Sequence, residues 1–165
     1  MTEKLIKTKK RVADVGEVFT PRWLVEEVLE ALPKSVFEDS EKTFIDPACG
    51  DGNFLAVVLE QKMEHGVDAL QAISTIYGVD IMPDNVLECR QRLFKAVVSR
   101  MNNKVMPSNF YSQVVVILKK NIQLGDTLQF DIEDILSENP SSELQSFRSE
   151  RMRESKKVVD KADET

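Results

Sequence analysis

The chain has 165 residues, 42% of them apolar, and a formal net charge of −6. That length suits one compact domain with a single core, and no apolar run approaches the length of a bilayer span. The charge is uneven: residues 1–11 carry Lys4, Lys7, Lys9, Lys10 and Arg11 against Glu3, a local +4 that leaves −10 on the remainder. An acidic body is a poor stand-alone binder of a phosphate backbone. Any such contact therefore falls to the basic arm, 1–15, whose alternative is a disordered, solubilising terminus. Residues 1–11 hold no apolar signal core, and Cys49 and Cys89 form no metal or redox spacing. Both features point to a cytosolic protein with reduced thiols.

In chain order, Thr20-Pro21 predicts a helix start, with Thr as cap and Pro at the first helical position. Leu24, Val25, Val28, Leu29 and Leu32 then share one face, and Pro33 stops the helix. Thr43-Phe44-Ile45 reads as a short strand ending at Asp46. After a glycine loop, Phe54, Leu55, Val58, Leu59 and Met63 mark the buried side of a helix closed by His65-Gly66. A short helix over 68–74 precedes a second strand, Thr75 to Val79, that ends at Asp80. Pro83-Asp84 opens a long helix with its stripe at Val86, Leu87, Leu93, Phe94, Val97, Val98 and Met101. Residues 102–111 read as a loop. The apolar run Val114 to Leu118 suits a buried strand or helix; helix is preferred, because Asn121 to Leu124 makes the better strand before Gly125-Asp126. Strands alternating with helices predict a parallel, doubly wound sheet. From Glu138 onward 13 of 28 residues are charged, which predicts a disordered tail or a solvated helix over 138–165.

The most specific string is Phe44-Ile45-Asp46-Pro47-Ala48-Cys49-Gly50-Asp51-Gly52-Asn53-Phe54. A strand delivers an acid, a glycine turn follows and a helix begins, where ligands of parallel sheets bind. Gly50 and Gly52 let the backbone approach a ligand closely. A dinucleotide fingerprint would need a third spaced glycine. Here an acid, Asp51, stands inside the loop instead. It would repel an anion and favour a cation such as S-adenosylmethionine (SAM) over NAD. Asp80 closes Tyr77-Gly78-Val79-Asp80-Ile81, and an acid in this place can accept from both hydroxyls of a ribose, with Ile81 against an adenine face. Asp126, in Gly125-Asp126-Thr127, can accept an adenine amino group or simply cap the next turn.

Phe19-Thr20-Pro21, the Asp-Pro-Ala-Cys-Gly-x-Gly-Asn-Phe string, Gly78-Val79-Asp80 and Gly125-Asp126, in that order, resemble the cofactor motifs of adenine-N6 DNA methyltransferases. The motif order is similar to the gamma class and to the M subunits of restriction–modification systems, and the resemblance covers 16–128. It implies an α/β, Rossmann-like class I methyltransferase fold, truncated, with a parallel sheet flanked by helices and a SAM-binding domain over 16–137. It implies that Phe19, Thr20 and Pro21 border SAM and that Asp46, Ala48, Gly50, Gly52 and Phe54 line its methionine pocket. Asp80 would take the ribose, Ile81 the adenine and Asp126 the adenine amino group. No metal and no membrane is implied.

The family continues with an Asn/Asp-Pro-Pro-Tyr/Phe element that polarises the poorly nucleophilic adenine amine and stacks the flipped base. No Pro-Pro pair occurs in this sequence. Asn139-Pro140 is the one candidate, lacking the second proline and the aromatic residue, and it reads as a turn. The expectation is a SAM-binding component of a DNA methyltransferase that needs a second chain for catalysis and target recognition. The alternatives are a SAM sensor or decoy, or a methyltransferase with a non-DNA acceptor.

Overall fold

A computed structural model describes residues 6–15, 17–101 and 105–163. Glu3, Lys4, Gly16 and the loop positions 102–104 lie outside the described residues. The elements run α1 (Lys9–Val15), α2 (Arg22–Glu30), α3 (Ser35–Glu38), β1 (Phe44–Asp46), α4 (Asn53–Glu64), α5 (Ala69–Ser74), β2 (Ile76–Asp80), α6 (Pro83–Arg100), α7 (Phe110–Asn121), β3 (Ile122–Leu124), α8 (Ile132–Ile135) and α9 (Ser142–Asp163). The three strands form one parallel sheet in the order β1-β2-β3. This is an α/β fold with helices on the sheet, consistent with a Rossmann-like methyltransferase.

Strand β2 sits in the middle, and its alternating side chains feed two cores. Ile76 joins the main core with Leu55, Val58, Leu59, Leu93, Val97, Val114 and Leu118 from α4, α6 and α7. Val79 points the other way, into a second cluster with Ile135 and Leu144, flanked by Phe130 and Phe147. Coverage on both faces is what a parallel strand requires, since neither face can be left to water. Leu55, Val58 and Leu59 of α4 are fully buried, and each such side chain contributes about 1.5–3 kcal/mol relative to exposure. Lys62 of the same helix is also fully buried. Its ammonium donates to the Lys42 carbonyl at 2.6 Å and to Thr75 Oγ1 at 2.8 Å, tying α4 to the segments that enter β1 and β2.

Several boundaries differ from expectation. Pro21, not Thr20, is the cap of α2, and no side chain caps it. Val25 and Leu29 are buried, whereas Val28 and Leu32 face solvent, because α2 meets the fold along a narrow seam. The apolar run from Val114 is helical, within α7, and Asn121 ends that helix, so β3 begins at Ile122. Asn121 is buried, and its amide donates to the carbonyls of Ser74 and Ile76. The expectation of a disordered or solvated segment after Glu138 meets a helix that is docked at its start. Leu144 of α9 is fully buried, and Arg148 Nε donates to the Leu124 carbonyl at 2.8 Å. Composition averages over the helix and hides its single apolar stripe. The basic arm is likewise engaged at two positions, with Lys7 paired to Asp84 and Glu88 and Arg11 to Glu17 and Asp84.

Candidate cofactor site

Parallel strands finish on the same side of a sheet, so the strand-end acids converge. Asp46 lies opposite Gly78, and Asp80 opposite Leu124. Over this edge opens a cleft of about 490 Å³, a size that suits a small-molecule ligand. Six of the residues expected to hold a cofactor line it: Phe19, Ala48, Gly50, Asp80, Ile81 and Asp126.

The loop after β1 is held against β2 by its backbone. Cys49 N donates to the Val79 carbonyl at 2.8 Å, and Gly50 N donates to Asp80 Oδ2 at 2.9 Å. Gly50 has φ +52°, and a Cβ there would lie 3.1 Å from the Phe19 ring. Gly52 caps α4 at φ +82°, and a Cβ there would lie 2.5 Å from Cys89 Sγ. Gly52 therefore makes room for α6 rather than for a ligand. The two cysteines, forty positions apart, meet beneath the loop, and each thiol is buried. Their mutual hydrogen bond and burial push the Cys49 thiol well above its ordinary range, so it stays protonated.

Asp80 is 8% exposed. Its Oδ1 accepts from Met82 N at 2.8 Å and Asn85 Nδ2 at 3.1 Å, and its Oδ2 from Gly50 N. Burial pushes its carboxyl up, against these three hydrogen bonds, which lower it. A carboxylate has about four acceptor sites, so roughly one remains, on Oδ2. Without rearrangement Asp80 can take one ribose hydroxyl, not two. Asp126 also spends one site, accepting from Leu128 N at 2.9 Å, so it both turns the chain and faces the cleft.

The remaining expected residues are not among those lining the cleft. The Thr20 carbonyl accepts from Asn53 Nδ2 at 2.8 Å, Pro21 caps α2, and Phe54 packs on the main core. Asp46 turns back to accept from Ala48 N at 3.1 Å, and burial pushes its carboxyl up. None of these four, nor Gly52, lines the cleft. Asn139 and Pro140 stand in the link between α8 and α9, away from it. There Asn139 N donates to Ser137 Oγ, and the Pro140 carbonyl accepts from Gln145 Nε2. Asp51, expected to repel an anion from the loop, is instead ion-paired with Arg92, which also donates to its carbonyl, and it is not among the residues that line the cleft.

Sequence reasoning did not assign Glu17 or Asn85, and both line the cleft. Glu17 lies two positions before Phe19-Thr20-Pro21, and nothing local shows that its side chain folds inward. The acids on the cleft wall are Glu17, whose charge Arg11 offsets, Asp80 and Asp126, and no basic side chain is among the lining residues. Such a wall favours a neutral or cationic ligand over a phosphate-bearing one.

No helix among the described residues is long and apolar enough to cross a membrane. Among them no group of His, Cys, Asp and Glu is arranged to hold a metal ion. Searches of curated proteins and of solved structures found no match. The family model for N-6 DNA methylases matches residues 3–129, a span that includes β1, the glycine loop, Asp80 and Asp126. The chain belongs to the N-6 DNA methylase family.

Proposed function

We propose that this chain is the SAM-binding component of a DNA adenine-N6 methyltransferase and that a second chain supplies the catalytic loop and target recognition. One observation carries the cofactor half of the reading: the glycine loop, Asp80, Ile81 and Asp126 line a single acidic cleft at the carboxyl edge of the sheet. The residues fit the group. Asp80 keeps an acceptor site for a ribose hydroxyl, Ile81 offers an apolar surface for the base, and Asp126 has acceptor capacity for the adenine amine. Gly50 keeps its side of the cleft free of a side chain, and the cation-favouring wall suits a sulfonium and an ammonium group. When bound, SAM supplies an electrophilic methyl group; the protein's part is to orient it, so catalysis here is chiefly positioning.

The partner half rests on what the adenine needs. Its amine must be polarised by acceptors and its ring stacked after flipping. No Pro-Pro-aromatic element occurs in the sequence, and Asn139-Pro140 stands off the cleft wall. That same observation favours a second reading, a SAM sensor or decoy that binds without transfer. Labelled methyl transfer from SAM to mixed-sequence duplex DNA separates the readings. The purified chain should give none, and activity should appear on adding a polypeptide with an Asn/Asp-Pro-Pro-Tyr/Phe loop. Robust labelling by the chain alone overturns the partner requirement, and its loss on Asn139→Ala would make Asn139-Pro140 a working catalytic loop.

A further inference from the structure

We propose that Asn85 is a positioning residue: anchored by Lys7 and Arg11 of the N-terminal segment, it turns Asp80 so that one oxygen, Oδ2, faces the ligand. The inference rests on the cofactor reading for the identity of that ligand, and on geometry for the rest.

Asn85 is 1% exposed, and every polar atom of its amide is engaged. Nδ2 donates to Asp80 Oδ1 at 3.1 Å and to Glu17 Oε1 at 2.7 Å. Oδ1 accepts from Lys7 Nζ at 2.7 Å and from Arg11 Nη2 at 3.2 Å. The amide has one tolerable orientation, because the flipped one would set its oxygen against two carboxylates and its NH2 against two cations. The two amide protons thus bridge two buried acids, and the amide oxygen takes its bonds from cations that do not line the cleft. Lys7 Nζ also lies 5.8 Å from the centre of the Phe19 ring, so the N-terminal segment touches the wall at a second point. The Asn85 bond fills Oδ1 alongside Met82 N and leaves Oδ2, which Gly50 N holds, as the face with a free acceptor site.

Charged groups surround this amide from three directions. Lys7 and Arg11 come from the N-terminal segment, Glu17 from the approach to α2, and Asp84 and Glu88 from α6. Removing Arg11 takes the cation from Glu17 and weakens the hold on Asn85, and both changes leave Asp80 facing a less compensated negative charge. The effect on Asp80 therefore originates in a side chain that is not on the cleft wall.

The test uses the full chain and two measurements. Carboxyl-carbon NMR follows the titration of Asp80 without ligand, and calorimetry follows binding of S-adenosylhomocysteine, the demethylated product. Asn85→Ala should raise the Asp80 midpoint by about one pH unit, the scale of one lost hydrogen bond to a charged group. It should weaken binding about tenfold. Arg11→Gln should produce part of both changes, and Lys10→Gln, which removes the same charge from the same helix, neither. Should Asn85→Ala not fold, Arg11→Gln against Lys10→Gln decides. An unmoved Asp80 midpoint in folded Arg11→Gln and Asn85→Ala overturns the proposal. If the midpoint moves while the unaltered chain binds no S-adenosylhomocysteine, the network stands and the cofactor reading falls.

Discussion

The two walls of the cleft are built differently. On one side the glycine loop, Asp80 and Asn85 are interlocked by hydrogen bonds of 2.9 and 3.1 Å, and Asp80 and Asn85 are buried. On the other, the segment after β3 runs outward from buried Gly125 through half-buried Asp126 and Thr127 to solvent. Leu128 is 96% exposed, and the loop is fastened to its neighbour through Thr127 Oγ1, which donates to the Pro47 carbonyl at 3.2 Å. The first wall is set before any ligand arrives, which keeps the ordering cost of binding small. The second is a rim that can adapt to what comes next to the cofactor. The difference predicts where substitutions will hurt.

The largest effect should come from Gly52→Ala. Its new Cβ would meet Cys89 Sγ at 2.5 Å, at a positive φ that side chains rarely adopt. Overpacking of this kind costs about 1–3 kcal/mol, and the left-handed backbone adds about 1–2 more. Urea denaturation should show the loss, and Cys89→Ala in the same chain should restore part of it. Full stability in the single variant would mean that the loop is not pressed against α6.

Next is Asp80→Ala, which should weaken binding of SAM or its product by roughly 1.5–3 kcal/mol in calorimetry, the range for a hydrogen bond to a charged group. Equal affinity in the variant would remove Asp80 from the ligand site. A smaller effect follows from Asp84. Burial alone would raise its carboxyl, but hydrogen bonds from Arg11 and Lys7 outweigh burial and hold it at about 2. The folded value lies below the unfolded one of about 3.9. Its contribution is therefore complete above about pH 4 and is lost as pH falls through about 2. With the side chain 39% exposed, screening limits it to about 1 kcal/mol or less. The stability gap between the unaltered chain and Asp84→Asn should be present at about pH 5 and close near pH 2. Smallest of all, Leu128→Ala should change stability by less than about 0.5 kcal/mol. A larger loss in thermal melts would show that the rim is packed after all.

Much of this was legible in the sequence. Each strand lies within a residue or two of its expected place, because an apolar run ending in an acid, followed by a glycine or proline turn, is a strong local signal. The glycine loop was legible for the same reason. Glu17 and Asn85 were not, since each read as one more polar residue at a helix entrance. Their role depends on Arg11 and Lys7 arriving across a separation of more than seventy residues for Asn85. Gly52 was read as cleared for a ligand, but what clears it is Cys89, which only the packing of α6 on α4 brings near. The docking of α9 was hidden by its charge, because one buried leucine outweighs many solvated neighbours in placing a helix.

Helix α9 has one more consequence for the cleft. Arg148 holds the Leu124 carbonyl, and one turn later Arg151 Nε donates to the Ile81 carbonyl at 3.2 Å while its Nη2 lies 3.0 Å from Met82 Sδ. The main chain at the ends of β2 and β3 is thus latched from behind by two neighbouring guanidinium groups. Fraying of the helix back to Arg151 would release this latch. Past that point the carbonyl of Ile81 loses its donor, and the surface expected to carry the adenine ring gains freedom. In amide exchange, the helix up to Arg151 and the β2 end should open together, as one cooperative unit.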